Sequence, residues 1–251
     1  MNNTTTIMVL LLITLYFQGE TGRSRPYGQK DNTTEITALL RQLMPKKNKD
    51  VVTSPSAETW QNVETRLTEI AQESTGGRTE VIEALIRVVR DPAARAQWPV
   101  AHRWILAVDL LGDLRATESI DVLITNLDHT GENGITSSIN IAPVGRALEK
   151  IGAPAVPGLI RALDSDQEEI SLQAAQTLAS IGKPALSALI DSLGAARHSI
   201  KSKAALVLSW IGGKEAKQAI ERAIEKEEDN QTREQFKEAL IEFHKRWGRQ
   251  N

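Results

Sequence analysis

The sequence predicts an all-α protein, and three observations support this class. After Asp31 the apolar residues recur at the spacing of amphipathic helices. No window alternates apolar and polar residues between hairpin turns, and aromatic residues make up only 4% of the chain, so a sheet has little to be built from. Glycines then recur at a fixed interval of 30 residues, which indicates a repeated helical unit.

The composition excludes several classes of function. The chain has 251 residues, with 30 Lys and Arg against 32 Asp and Glu and no cysteine. Without cysteine there can be no disulfide, thiol nucleophile or thiolate zinc site. The nearly balanced charge gives no reason to expect nucleic-acid binding, which needs clustered cations. The length fits one or two ordinary domains, or one elongated repeat domain.

Residues 1–22 are set apart by an apolar run at 7–17. Eleven helical residues span only about 16 Å, roughly half of the bilayer core. We therefore expect a secretory signal peptide or, as an alternative, an uncleaved hydrophobic anchor; a wrongly assigned start is the third interpretation, since residues 1–6 contain no Lys or Arg. The expected location is outside the cytoplasm, periplasmic or extracellular, or tethered to a membrane by residues 7–17.

The first elements lie in a polar segment, 23–55, with one short helix at about 33–44. Residues 32–35 have the pattern of a capping box, and Pro45 ends the apolar stripe. Ser56 is the predicted N-cap of a second helix, which residues 74–77 should close. Thr79 should begin a third helix that ends at Asp91 and Pro92. The segment 56–251 is predicted to be one helical domain.

The repeat is anchored by Gly152, Gly182 and Gly212, with Gly112 at 40 residues before the first. One and four residues before these glycines stand apolar residues: Leu111 and Val108, Ile151 and Leu148, Ile181 and Leu178, Ile211 and Leu208. The pattern predicts a helix of about twelve residues, a left-handed glycine, a tight corner and a second helix of about ten residues. Each helix pair has an apolar face that it cannot bury alone, so the pairs must stack.

These motifs resemble the HEAT repeats of the phycobilisome-lyase type. The residues that carry the resemblance are 111–116 (LGDLRA), 150–160 (KIGAPAVPGLI) and 174–184 (AAQTLASIGKP), and it covers about residues 79–225. It implies a short right-handed α-solenoid of antiparallel helix pairs, with extra helices at the N-terminal side. The final helix, predicted at 231–247 with Phe236, Phe243 and Trp247, would be the C-terminal cap. The chain departs from the family's usual Val-Arg pair, of which Ile200-Lys201 is the nearest equivalent.

No catalytic, cofactor-binding or metal-binding residues are expected. His102, His129, His198 and His244 show no ligand spacing. Residues 164–175 begin like a calcium loop but lack its glycine and its final glutamate, so Ser165 or Asp166 is interpreted as a helix cap. The polar insertion at 129–138 is either part of a binding face or a tolerated surface loop.

The candidate binding face is the outward side of the second helices. In HEAT-like solenoids these helices line the concave surface, as the resemblance implies. Positions nine, five and two residues before the glycines share one helix face. The predicted partner-binding residues are Lys150, Gln173, Thr177, Ser180, Lys203, Val207 and Trp210. Trp210 is either an exposed anchor for a partner or a core residue beside Phe243.

The favoured function is a non-catalytic scaffold that binds a protein or peptide of unknown identity. A lyase-type enzyme or accessory factor, as in the family that the repeats resemble, is the first alternative. Binding of a DNA backbone is the second, although Gln173, Thr177 and Ser180 stand where cations would be needed. A membrane contact is expected only through the N-terminal segment, if it stays uncleaved.

Overall fold

A computed structural model describes residues 31–44, 46–48, 51–92, 101–128, 142–195 and 197–248. The predicted leader at 7–17 and the insertion at 129–138 lie outside these residues, as does His129. The chain divides into two units, Met1–Asp31 and Asn32–Asn251, and every element below belongs to the second. No helix in the described ranges is both long and apolar enough to cross a membrane.

The second unit is built almost entirely of α-helices, which confirms the predicted class. Short 3-10 turns at Thr117–Ser119, Ala153–Ala155 and Lys183–Ala185 precede three of them. The helices are α1 (Thr33–Gln42), α2 (Ala57–Glu73), α3 (Thr75–Arg90), α4 (Ala101–Asp113), α5 (Ile120–Ile124), α6 (Pro143–Ile151), α7 (Val156–Ala162), α8 (Glu168–Ile181), α9 (Leu186–Ser192), α10 (His198–Ile211), α11 (Gly213–Lys226) and α12 (Asn230–Trp247).

One feature that the sequence did not predict is a small antiparallel ribbon after α1. Its strands are β1 (Lys46–Asn48) and β2 (Val51–Thr53), with Lys46 opposite Thr53. Each strand has three residues. That is too short for an alternating pattern to be recognised in a sequence.

The N-terminal helices differ from the prediction in two respects, the capping of α1 and the start of α3. No capping box forms at α1, because the side chain of Asn32 makes no capping bond and its backbone N–H donates to Glu80 Oε2 at 2.9 Å. Ser56 does cap α2, by accepting from Thr59 N at 3.2 Å. Ser74 caps α3 in the same way, accepting from Gly77 N at 2.9 Å, so the predicted loop at 74–77 is the first turn of that helix.

The helices from α2 to α12 form two layers of antiparallel pairs. One layer, called here the long-helix layer, contains α2, α4, α6, α8, α10 and α12, each packed on the next. The other contains α3, α5, α7, α9 and α11. A single apolar core runs between the layers from Ile36 to Phe243. This is the stacking that the repeat predicted, and the unit is an all-α solenoid.

Three of the four repeat glycines turn the chain as expected, with positive φ angles of 78° at Gly152, 68° at Gly182 and 79° at Gly212. Their ψ angles are strongly negative, so they are not left-handed helical residues, but only glycine reaches this region readily. Gly112 differs because it lies inside α4, and the positive φ of that corner, 47°, belongs to Arg115. A Cβ on Gly112 would lie 2.7 Å from Ala147 Cα, so this glycine allows α4 and α6 to approach closely.

Candidate functional site

The seven residues predicted to face a partner do not share one exposed surface. Gln173, Thr177 and Val207 are buried, with exposed fractions of 6%, 0% and 0%. They belong to α8 and α10, and each of these helices packs on two others of the long-helix layer. The prediction that these three residues point outward is therefore wrong. A helix inside a layer is covered on its flanks as well as on its core side.

The two buried polar members of the predicted face form hydrogen bonds within α8. Thr177 Oγ1 donates to the carbonyl of Gln173 at 2.7 Å, and Gln173 Nε2 donates to Glu169 Oε1 at 3.0 Å. Oε1 of Gln173 has no hydrogen-bond partner and no exposed surface. Gln173 and Thr177 are buried and bond within α8, so they are not available to a partner.

The two predicted lysines are exposed to different degrees, and both are engaged within the chain. Lys150 is exposed, and its Nζ donates to Asp113 Oδ1 at 2.5 Å. Lys203 is half-buried and crosses back to the preceding repeat, where Nζ donates to the carbonyl of Leu163 at 2.7 Å and to Ser171 Oγ at 2.5 Å. Lys203 therefore connects two repeats.

The accessible row of α8 and α10 is shifted by one residue from the predicted positions nine and five before the glycine. It occupies positions ten, six and two before each glycine, and no member is buried. The row consists of Leu172, Gln176 and Ser180 on α8 and of Ser202, Leu206 and Trp210 on α10. Leu172 is 44% exposed, which is unusual for a leucine in this unit. Of the predicted residues on α8 and α10, Ser180 and Trp210 belong to this row.

Trp210 borders a cleft of about 470 Å³ at the corners of two successive repeats. The α8–α9 corner contributes Gly182, Lys183 and Leu186, and the α10–α11 corner contributes Gly212, Gly213 and Lys214. The sequence left two alternatives open for Trp210, an exposed anchor or a core residue. Its indole is half-buried and packs against the core, so its burial is intermediate between the two. The cleft therefore combines an aromatic wall with two basic side chains.

The cap helix covers Trp210 from one side. The guanidinium of Arg246 lies over the indole, with Cζ 5.8 Å from the ring centroid, and Arg246 Nε donates to Glu242 Oε1 at 2.9 Å. The next aromatic residue, Trp247, packs on Gly212 and donates from Nε1 to the carbonyl of Ser209 at 3.0 Å. The predicted role of the last helix as a cap also agrees with the burial of Phe236 and Phe243.

A second cavity, of about 600 Å³, lies between α9, α10 and α11. Its polar wall contains a shielded ion pair in which Lys201 Nζ donates to Glu227 Oε2 at 2.8 Å. This bond lowers the pKa of Glu227 from its ordinary value, against the opposing effect of burial. This site could not be predicted from the sequence, because Lys201 and Glu227 are 26 residues apart and no local pattern relates them.

The remaining candidate residues are placed in local structure. In the described ranges no group of three His, Asp or Glu side chains could hold a metal ion. His198 Nδ1 lies 2.7 Å from Thr232 Oγ1. The N-cap of α8 is Gln167, and neither Ser165 nor Asp166 has this role. Ser165 Oγ does accept a hydrogen bond from Gln167 N at 3.2 Å. Asp164 instead accepts from Ser199 and Arg197, and the Ser199 bond is the main cause of its lowered pKa.

Comparisons with known proteins give similar solved structures and one family match. A search of curated proteins gives no significant match. Among solved structures, an engineered protein is 20% identical, with 84% of this chain and 97% of that chain covered and a TM-score of 0.33. Human deoxyhypusine hydroxylase is 14% identical, with coverages of 85% and 97% and a TM-score of 0.33. The complex of CpcE and CpcF of phycocyanin lyase from Nostoc is 14% identical, with coverages of 90% and 99% and a TM-score of 0.25.

The family comparison is specific to the C-terminal part of the chain. The family model for HEAT repeats matches residues 156–241, which extend from α7 into α12. This range contains the corners at Gly182 and Gly212 and the cleft between them. Over residues 156–241 this chain is similar to HEAT repeats.

Proposed function

We propose that the solenoid is a non-catalytic module that binds a protein or peptide segment through the accessible row of α8 and α10 and the cleft at Trp210. The observation that carries the proposal is the half-buried Trp210 at the edge of a concave site. Tryptophan is enriched among residues that dominate interface energies, because its large ring buries much apolar area at low entropic cost.

The charges of the face support a protein partner over a DNA backbone. Lys150 and Lys203, the two cations of the originally predicted face, bond to Asp113 and to groups of the preceding repeat. A duplex would have to compete with these bonds to gain two phosphate contacts. The accessible row itself is neutral: Leu172, Gln176, Ser180, Ser202, Leu206 and Trp210. The cleft beside it adds only two lysines, Lys183 and Lys214, against Glu215.

The test is affinity capture from an extract of the source organism with the full-length chain and two tryptophan variants. Trp210→Ala removes the aromatic wall, while Trp60→Ala removes another half-buried tryptophan, on α2, as the matched control. Each substitution should cost about 1 to 2 kcal/mol of stability, because only part of each ring is buried. We expect a partner that wild type and Trp60→Ala retain and that Trp210→Ala loses.

Thermal melts of both variants decide between the proposal and a structural role. If Trp210→Ala unfolds the chain while Trp60→Ala does not, then Trp210 is a core residue and the proposal fails. The proposal also fails if a folded Trp210→Ala retains the same proteins as wild type.

A further inference from the structure

The cleft at Trp210 is the place where the last repeat departs from the repeat pattern. The two earlier corners have a proline two residues after the glycine and a small or flexible residue two before it. The third has tryptophan before the glycine, a second glycine after it and lysine in place of proline. The three sets are Lys150, Ala153 and Pro154; Ser180, Lys183 and Pro184; and Trp210, Gly213 and Lys214.

All three departures line the same cleft. Gly213 adopts a φ of 87°, and a Cβ at this position would meet nothing within 4 Å, so the second glycine leaves open space beside Trp210. Replacing proline with Lys214 adds a flexible cation to the wall. The changes therefore open the corner and make it basic.

The two lysines of the cleft differ in their ion pairing from two other lysines of these repeats. Lys183 and Lys214 are exposed, and neither forms an ion pair with a described residue. In contrast, Lys201 is paired with Glu227 at 2.8 Å and Lys237 with Glu234 at 2.7 Å. The lining contains one acidic residue, Glu215, against these two lysines.

We propose that the cleft binds an acidic peptide segment of a partner. An apolar side chain of the segment packs against Trp210, Leu186 and Ile211, and a nearby Asp or Glu carboxylate binds Lys183 and Lys214. The charge of the lining favours a carboxylate and repels a basic segment, because like charges brought together without solvent cost binding free energy. This inference rests on the proposed function and specifies the chemistry of its partner.

The experiment is selection of a display library of short random peptides on the full-length chain. Lys183→Gln/Lys214→Gln removes both cleft cations, and Lys217→Gln/Lys237→Gln removes two cations elsewhere on α11 and α12, so the two variants have the same net charge. We expect wild type and the control variant to enrich peptides with a carboxylate beside an apolar residue. Loss of the cleft lysines should lower the affinity for these peptides about tenfold or more, and added salt should lower the affinity of wild type.

Binding of the enriched peptides is then measured by fluorescence anisotropy, with a Trp210→Ala chain in parallel. Acidic peptides that depend on both Trp210 and the cleft lysines support the inference. Peptides that depend on Trp210 but have no acidic bias overturn it and leave the proposed function standing. If no selected peptide depends on Trp210, both proposals fail. Lysine-dependent binding to vesicles of phosphatidylserine in phosphatidylcholine, without acidic peptides, also overturns the inference, because the ligand would then be a lipid surface.

Discussion

At the residue scale, Gly212 combines two constraints that other glycines of the solenoid separate. Its φ is 79°, and a Cβ at this position would lie 2.4 Å from Trp247 Cε2. Gly213 has a similarly positive φ of 87° but open space around the missing Cβ. The two neighbours therefore differ mainly in their contact with the cap helix.

We predict that Gly212→Ala costs about 2 to 5 kcal/mol of unfolding free energy, because backbone strain adds to displacement of Trp247. Gly213→Ala, the matched control, should cost only the strain, about 1 to 3 kcal/mol. Urea denaturation of both variants checks the difference. Equal losses would show that the indole of Trp247 moves away freely and that its packing on Gly212 stabilises little.

The shielded pair of Lys201 and Glu227 predicts how stability depends on pH. The ion pair lowers the pKa of Glu227 below its ordinary value of 4.5, so the folded chain takes up this proton less readily than the unfolded chain. The stabilisation from this group is therefore present above pH 4.5 and is lost as the pH falls through the lowered folded-state pKa.

For Glu227→Gln we expect lower stability than wild type at neutral pH and convergence of the two stability curves as the pH falls below about 4.5. Chemical denaturation at a series of pH values measures both curves. Glu225→Gln, at an exposed position on α11, is the control and should follow wild type throughout. A constant difference between Glu227→Gln and wild type at every pH would contradict a role for the charge of Glu227.

At the element scale, the sequence predicted what each helix presents to the opposite layer but not what it presents to its own layer. The residues one and four before each glycine lie in or against the core, as expected. Residues five before the glycine, Ala147, Thr177 and Val207, are equally buried, because each long helix is flanked by two others. Two polar residues, Thr177 five before the glycine and Gln173 nine before it, gave no signal of burial. The accessible row could have been predicted by selecting the helix positions that face neither the opposite layer nor the neighbouring helices of the same layer.

Helix boundaries show the same limit. At Ser56 and Ser74 the side chain accepts a hydrogen bond from the N–H three residues ahead, and such local bonds can be predicted from residue type and spacing. Only the first of them was predicted as a cap, because the glycines after Ser74 suggested a loop. Asn32 has an equally good capping residue type, yet its environment is set by Glu80, 48 residues away. A long-range contact of this kind overrides a local preference and cannot be predicted from spacing.

At the scale of the whole solenoid, the helices share one core, yet each repeat packs mainly on its neighbours. The long-helix layer connects α4 to α6, α6 to α8, α8 to α10 and α10 to α12 in sequence. Stability in such an array is approximately a sum of repeat and nearest-neighbour contributions. A destabilising substitution at one end should therefore lower the local stability of the helices at that end more than that of the helices at the other end.

The cap helix gives a direct test of this local stability. Phe236 is fully buried at 0% exposure, and we predict that Phe236→Ala costs about 3 to 5 kcal/mol. Hydrogen exchange followed by mass spectrometry should show faster exchange in α10, α11 and α12, because local opening becomes easier there, with little change in α2 and α3. Ile241→Ala on the same helix is the control, since Ile241 is 54% exposed and its truncation should change the exchange very little. Faster exchange spread evenly from α2 to α12 in Phe236→Ala would instead mean that the solenoid opens as a single cooperative unit. A substitution in the cap helix would then destabilise distant helices as much as those it contacts.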